Sequence, residues 1–230
     1  MTEGAAQVSP SIRNAATIIL LRRDGAAGPR VLMGRRGASA AFMPSKYVFP
    51  GGAVDPCDAQ VPLADPLDPV CARRLAWRAA GASANAIAAA AIRELWEETG
   101  LILGQPGTWP HPAPPGWRGF ADTGHLPSAG ALRFVFRAIT PPGRPRRFDA
   151  RFFLADADHV AGNVDDFSRA CDELSALAWV PLARARDLDL PFITEVVLAE
   201  IRAHLSRETQ PGSVPFFDNS DAESRFIRIE

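Results

Sequence analysis

Three glutamates near the middle of the chain have the spacing of a functional cluster. Glu94, Glu97 and Glu98 are three and four residues apart, so on a helix their carboxylates share one face, about 5–6 Å apart. A helix that ends at Gly100 places them in its last turn, where the helix dipole disfavours negative charge. Arg93 can pair with Glu97 and offsets only part of this repulsion.

A bound divalent cation would remove the electrostatic conflict. Clustered carboxylate oxygens are hard ligands that suit Mg²⁺ or Mn²⁺, and these ions commonly keep several waters and bridge to substrate phosphates. The other interpretation is a solvated acidic face, which is how most runs of acidic residues behave. The three glutamates alone do not decide between the two.

The surrounding sequence resembles the Nudix box. Phe49-Pro-Gly-Gly52 is followed by Asp58 and then by Arg93-Glu-Leu-Trp-Glu-Glu-Thr-Gly-Leu101, whose pattern matches the second half of the box at every defined position. The resemblance implies an α/β fold, a Nudix-type α/β/α sandwich around a mixed β-sheet. It also implies that a loop–helix–loop holds metal and diphosphate.

The chain departs from the common box in two places. Asp58 stands where the box has its first glutamate, and a shorter carboxylate ligates a metal less directly. The 34 residues from Ala59 to Ile92 replace a much shorter spacer. We therefore expect an insertion at about residues 56–82, extruded as a surface subdomain between the glycine loop and the catalytic helix.

The resemblance assigns a role to each matching residue. Gly51 and Gly52 would let the backbone turn tightly and approach the diphosphate of the substrate. Some Nudix enzymes take their general base from outside the box, and Glu173 is our candidate. The other interpretation, which the sequence favours, is a polar residue at the start of a strand. The implied catalytic residues are Glu94, Glu97, Glu98, Arg93 and Glu173, and the implied metal ligands are Glu94, Glu97, Glu98 and Asp58.

Residues before the box resemble one branch of the family. Phe42-Met-Pro and Val48-Phe-Pro-Gly-Gly52 are similar to the branch that contains peroxisomal coenzyme A diphosphatases and their bacterial relatives. Arg36 takes the place of the first arginine of a stretch typical of that branch, whereas Ala41 and Ser45 replace its second arginine and its glycine. Because arginine forks suit phosphates, Arg36 and Arg151 are our candidates for binding the substrate.

The implied activity is the metal-dependent hydrolysis of a diphosphate linkage in a nucleoside diphosphate derivative. Coenzyme A or an acyl-CoA is the first expectation for the substrate, and ADP-ribose or NADH is the alternative. A non-catalytic module that senses a nucleotide is a competing class. The three intact glutamates argue against that class, while Asp58 and the long spacer keep it open.

Hydrophobic patterning predicts the elements that position these residues. The sequence predicts helices at 83–99 and 192–205, a shorter helix at 71–80, strands at 15–21, 30–33, 132–139, 151–155 and 177–180, and a turn at 25–28. The proline-rich loop 105–117 is interpreted as packing more readily than as a lid. Together these elements predict one Nudix domain over residues 12–206 and a tail at 207–230 that forms a hairpin or a dimer contact.

Composition excludes several classes of protein. Lys and Arg number 25 against 26 Asp and Glu, which argues against a nucleic-acid binder held by bulk charge. Three scattered cysteines form neither a disulfide framework nor a zinc motif. With no membrane span and no signal-peptide pattern in the sequence, we expect a cytoplasmic protein. Its partners would be a small nucleoside diphosphate derivative and, in a homodimer, a second copy.

Overall fold

A computed structural model describes residues 11–23, 28–40, 42–206, 212–221 and 223–230. Within these ranges the strands are β1 (Ile12–Arg22), β2 (Arg30–Arg36), β3 (Tyr47–Val48), β4 (Gly51–Ala53), β5 (Gly104–Pro106), β6 (His125–Pro127), β7 (Arg133–Ile139), β8 (Arg147–Asp156), β9 (Leu174–Pro181), β10 (Val214–Asp218) and β11 (Arg225–Ile229). The α-helices are α1 (Pro69–Ala76), α2 (Ala84–Thr99), α3 (Arg118–Ala121) and α4 (Phe192–Leu205). The predicted turn at 25–28, apart from Gly28, and Ala41 lie outside the described residues.

The described strands form one nine-stranded mixed sheet and a separate pair, β5 and β6. The main sheet has the order β11-β10-β7-β8-β1-β2-β3, with β4 also paired to β1 and β9 also paired to β2. The centre is the parallel pair β1 and β8, in register from Ile12 beside Arg147 to Leu21 beside Asp156. The mixed α/β fold expected from the Nudix resemblance is confirmed.

Strand β1 is buried on both faces because its apolar residues alternate between two cores. Ile18 and Leu20 belong to the core that α1 and α2 cover, whereas Ile19 and Leu21 belong to the core that α4 covers. Helices therefore pack on both faces of the sheet, which gives the three layers of a sandwich.

The segment between β4 and α2 packs on the main core and is not extruded as the sequence predicts. Val61, Leu67, Cys71 and Leu75 are buried in the same cluster as the apolar face of α2. Cys71 and Leu75 are four residues apart on α1, so one face of this short helix is apolar and turns inward.

The end of this segment is also tied to the sheet. Arg137 on β7 donates from Nη1 to the carbonyl of Trp77 at 2.7 Å and from Nη2 to that of Arg78 at 3.0 Å. These bonds fix the chain a few residues before α2 begins. The segment therefore leads into α2 from an anchored position.

The C-terminal segment is an antiparallel hairpin of β10 and β11. Strand β10 pairs in parallel with β7, at Phe216 beside Arg137 and Phe217 beside Ala138, so the hairpin extends the main sheet. The structure thus includes the end of the tail in the same sheet as the rest of the domain. None of the helices in the described ranges is long and apolar enough to cross a membrane.

Removing a core side chain from α1 tests whether the long segment is part of the core. We expect Leu75→Ala, at a position only 1% exposed, to lower the free energy of unfolding by about 2–5 kcal/mol, because it leaves a cavity. Val70→Ala on the same helix, at 38% exposed, is the control and should change it by less than about 0.5 kcal/mol. Urea denaturation followed by circular dichroism measures both, and equally small effects would place α1 outside the core.

Candidate functional site

Helix α2 presents the glutamates at its C-terminal end. Its N-cap is Ser83, whose side chain accepts a hydrogen bond from the Ala86 amide at 3.1 Å. It ends at Gly100, whose φ of 75° is the left-handed conformation that glycine adopts without strain. The buried alanines in its middle, Ala86 and Ala88 to Ala91, let the helix lie close to the sheet. The predicted helix is confirmed to within one residue at its start.

The three glutamates differ sharply in exposure. Glu98 is 1% exposed, the side chain of Glu94 is 12% exposed and that of Glu97 is 36% exposed. They form a graded series from the protein interior to its surface. A ligand from solvent would therefore meet Glu97 first.

Arg93 holds this series together from within the same helix. Its Nη1 donates to Oε1 of Glu94 at 2.9 Å and to Oε2 of Glu97 at 2.7 Å. Its Nη2 donates to the carbonyl of Ala53, at the end of β4, at 2.9 Å. One guanidinium thus joins the helix to the strand that carries the two glycines.

Asp58 is the counter-ion on the other side of Arg93. Arg93 donates from Nε to Oδ1 of Asp58 at 3.0 Å and from Nη2 to Oδ2 at 3.1 Å. Burial alone lowers the pKa of Arg93. The hydrogen bonds of Asp58 and the negative charges of Asp58, Glu94 and Glu97 outweigh it and raise the pKa above its ordinary value. The guanidinium therefore stays charged at the centre of the cluster.

Glu98 has an oxygen without a partner. Its Oε2 accepts a hydrogen bond from the Gly51 amide at 2.7 Å, whereas its Oε1 is buried and has no hydrogen-bond partner in the part of the chain that the structure describes. Burial raises the pKa of Glu98 well above its ordinary value, and the charge of Glu94 adds to the shift. Burial also raises the pKa of Glu94 to about 7, although Arg93 opposes the shift.

A second charged pair lies beside these carboxylates. Pairing of β2 with β9 sets Arg36 beside Leu174, and Arg36 donates from Nη2 to Oε1 of Glu173 at 2.7 Å. Both charges act on the pKa of Glu98, which Glu173 raises and Arg36 lowers. The structure therefore brings Arg36 and Glu173, which are 137 residues apart in sequence, to the end of α2.

Comparison with known proteins identifies this combination of strand, glycines and acidic helix. A family model described as "NUDIX domain" matches residues 11–200, which is most of the chain. The chain belongs to the Nudix family. The match includes β4, the segment carrying Asp58 and the whole of α2.

Two solved structures and one curated protein are similar to this Nudix chain. A NUDIX hydrolase from Alicyclobacillus acidocaldarius is 30% identical with a TM-score of 0.60, covering 82% of this chain and 90% of that one. A MutT protein from Methanosarcina mazei shares the fold, at 16% identity and a TM-score of 0.50, over 88% of this chain and all of that one (100%). "Putative nudix hydrolase 7" from Caenorhabditis elegans is 31% identical over 194 residues, which are 76% of this chain and 53% of that protein. The chain spans about half the length of this curated relative.

The two glycines of the Nudix motif serve packing inside the protein. Both lie in β4, paired with Thr17 and Ala16 of β1, and neither has a positive φ, so the predicted tight turn is wrong. A Cβ on Gly51 would lie 2.6 Å from the carbonyl oxygen of Ala16, and one on Gly52 would lie 2.4 Å from Oε1 of Glu94. The missing side chain of Gly51 lets β4 lie close to β1, and that of Gly52 makes room for the carboxylate of Glu94.

Asp58 supports Arg93 by accepting hydrogen bonds from it. Besides Arg93, its carboxylate accepts hydrogen bonds from the Asp55 amide at 2.8 Å and from Nε1 of Trp117 at 2.9 Å. A carboxylate offers about four acceptor positions, and the four hydrogen bonds occupy them all. In this arrangement Asp58 acts on the site through Arg93, and the expectation that it ligates a metal is not supported.

Arg151 does not face a substrate. Its side chain is fully buried, with Nη2 at 3.0 Å from Oδ2 of Asp149 and Nη1 at 2.8 Å from the carbonyl of the same residue. The sequence-based expectation is wrong because β8 begins at Arg147, four residues earlier than predicted, and places Arg151 inside the sheet layer beside Ala16.

The sequence places Trp117 in a packing or lid loop and does not predict its contact with Asp58. Trp117 is 0% exposed, which is consistent with packing and excludes a lid role for this side chain. Its hydrogen bond to Asp58 joins residues 59 apart, and no local pattern predicts such a pairing. A buried tryptophan needs a partner for its N–H group, and that requirement is the one signal available in the sequence.

The raised pKa values predict that metal binding depends on pH. Only deprotonated carboxylates ligate a metal. If Glu94 holds Mg²⁺, the ion should bind more tightly as the pH rises past the pKa of Glu94, about 7, and binding should release protons. Calorimetry in two buffers of different ionisation enthalpy counts these protons. Binding without proton release would contradict the prediction.

Without metal, the raised pKa of Glu94 also makes the stability of the folded protein depend on pH. Between the ordinary Glu pKa of 4.5 and the raised value of about 7, the folded protein holds more protons at Glu94 than the unfolded chain does. Its stability should therefore fall as the pH rises through this window, and stabilisation by Mg²⁺ should grow over the same window. In Glu94→Gln this part of the pH dependence should be lost.

Proposed function

We propose that this chain hydrolyses a diphosphate linkage in a nucleoside diphosphate derivative, using Mg²⁺ or Mn²⁺. The observation that carries the proposal is the buried, unpartnered Oε1 of Glu98, next to two further carboxylates on one helix end. Apolar or neutral surroundings would make such an oxygen costly to keep ionised. A cation at this point removes that cost.

The residues present fit a divalent ion that keeps part of its water shell. In the described part of the chain, no group of three or more His, Cys, Asp or Glu side chains lies close enough together to form a metal cage by itself. Mg²⁺ is commonly bound by one or two carboxylates together with waters and substrate phosphates, so it does not need such a cage. Glu98 together with Glu94 or Glu97 would hold the ion, and waters and substrate phosphates would complete its shell.

The bound ion would supply charge neutralisation at the phosphates and a lower pKa for an attacking water. The protein's own residues supply the arrangement around it. Arg93 lies between Glu94 and Glu97, with Nη1 at 2.9 Å from Oε1 of Glu94 and at 2.7 Å from Oε2 of Glu97. Its positive charge offsets the repulsion between the two carboxylates. The Gly51 amide fixes the orientation of Glu98 through its other oxygen.

Arg36 and Glu173 are the proposed contacts to the substrate and to the water. Arg36 is only 18% exposed at its side chain, which leaves its guanidinium pre-oriented beside Glu98, where a phosphate oxygen could replace Glu173 as its partner. Glu173, at 53% exposed, would then be available to accept the proton of the attacking water.

Separate substitutions distinguish these two roles. We expect Arg36→Gln to raise KM more than it lowers kcat, because it removes a ground-state contact to phosphate. We expect Glu173→Gln to lower kcat by about 10²–10⁴-fold, the usual contribution of a general base, with little change in KM. Steady-state kinetics measure both, and identical effects of the two variants would mean that only their mutual ion pair matters.

Coenzyme A or an acyl-CoA is the first proposed substrate, with ADP-ribose or NADH as the alternative. A panel of diphosphate compounds incubated with Mg²⁺ and with Mn²⁺, with products read by mass spectrometry, decides between them. Release of 3′,5′-ADP and 4′-phosphopantetheine would support coenzyme A, whereas AMP and ribose 5-phosphate would support ADP-ribose. Tight binding of one compound without turnover would instead support a nucleotide sensor.

Removing single carboxylates tests the metal-dependent chemistry itself. We expect Glu97→Gln and Glu98→Gln each to lower kcat/KM by more than about 100-fold, beyond the effect typical of residues that only support a ligand. Glu195→Gln, an exposed glutamate on α4, is the matched control and should leave the rate unchanged. Circular dichroism checks the fold of each variant, and near-normal turnover of both α2 variants would refute the proposal.

A further inference from the structure

Trp117 connects the proline-rich loop to the ion-pair cluster beneath the glutamates. It lies just before α3 and is 0% exposed, and its Nε1 donates to Oδ1 of Asp58 at 2.9 Å. The acceptor is the same oxygen that receives Nε of Arg93. The indole N–H therefore bonds to the residue that supports Arg93.

The loop around Trp117 is held in place on several sides. The ring packs at 5.9 Å from the ring of Trp109 and at 5.4 Å from that of Phe120, measured between centroids. The thiol of Cys57, next to Asp58, donates to the carbonyl of Pro115 at 3.4 Å. Packing against Trp109 and Phe120 and the Cys57–Pro115 hydrogen bond thus direct the indole N–H at Asp58.

The adjacent residue brings the loop against the helix. Gly116 has a φ of 85°, and a Cβ there would lie 3.6 Å from Cδ of Arg93 and 3.7 Å from Oε1 of Glu97, both ordinary contact distances. The loop backbone therefore lies against the side chains that it supports through Trp117. A shift of the loop would reach Arg93 both directly and through Asp58.

The geometry at Asp58 fixes the direction in which it meets Arg93. Trp117 donates to Oδ1 and the Asp55 amide donates to Oδ2, so the carboxylate is held from both ends. A hydrogen bond to a charged acceptor is stronger than one between neutral groups. Without the indole N–H, the carboxylate could rotate about the remaining donors.

We propose that Trp117 is a positioning residue for the metal site, acting through Asp58 and Arg93 on Glu94 and Glu97. The proline-rich loop is then a part of the site's support, although it contributes no ligand. The effect on metal affinity rests on the proposed function of the glutamates as ligands. The effect on the orientation of Asp58 and Arg93 does not.

The test compares the same substitution in two neighbouring tryptophans. Trp117→Phe keeps an aromatic ring and removes the N–H donor, and we expect it to weaken Mn²⁺ binding about tenfold, as loss of a supporting residue typically does. Trp109→Phe removes an N–H that donates to the carbonyl of His125, away from the glutamates, and should leave Mn²⁺ binding unchanged. Equal weakening of Mn²⁺ binding in both variants would mean that Trp117 contributes only packing, and it would overturn the proposal.

A double-mutant cycle tests the route through Asp58. If Trp117 acts through the carboxylate, Trp117→Phe should weaken Mn²⁺ binding much less in an Asp58→Asn background than in the wild-type protein. Full additivity of the two changes would overturn that route. Titration of Mn²⁺ by electron paramagnetic resonance provides these affinities without any turnover.

A spectroscopic measurement covers the case in which no metal binds. In ¹H–¹⁵N spectra, the indole signal that Trp117→Phe removes should exchange slowly with solvent and shift in Asp58→Asn, because its acceptor changes. The Nε–H signal of Arg93 should exchange faster in Trp117→Phe than in Trp109→Phe. An unchanged Arg93 signal overturns the inference, whereas a changed signal in a protein without metal binding or hydrolysis overturns only the proposed function.

Discussion

The buried guanidinium of Arg93 is the interaction on which the rest of the site depends. Arg93 is 7% exposed. It contacts the carboxylates of Asp58, Glu94 and Glu97 and the backbone carbonyl at the end of β4. Placing one cation out of water is costly, and placing three anions beside it is costly too, so the group is stable only as a whole. Loss of the cation would leave like charges together, whereas loss of one carboxylate would leave the cation partly unpaired.

This charge balance does not extend to Glu98 through hydrogen bonds, and the proposed metal site rests on that difference. Arg93 makes hydrogen bonds to Glu94 and Glu97, while Glu98 receives only a neutral amide from Gly51. The most buried of the three carboxylates is therefore also the least compensated. Its Oε1 has no hydrogen-bond donor among the described residues.

Local features of the site were predictable because they lie within one helix. The spacing of Glu94, Glu97 and Glu98 and the Gly100 stop both act over a few residues. The contact of Trp117 with Asp58, the packing of α1 and the burial of Arg151 were not predictable, because each depends on segments far apart in sequence. Arg151 shows the reason most clearly, since its environment is set by how far β8 extends before it and by which strand lies beside it.

The parallel pairing of β1 with β8 has a consequence for how the domain assembles. Residues from 12 to 21 lie beside residues from 147 to 156, so the central pair of the sheet forms only after a long stretch of chain has been brought back on itself. The contacts between β4 and α2 join residues less than 50 apart and cost less loop-closure entropy to form. A nascent chain would therefore hold the carboxylates and Arg93 near one another well before the sheet beneath them is complete. Pairing β1 with β8 therefore carries a larger loop-closure cost than bringing β4 to α2.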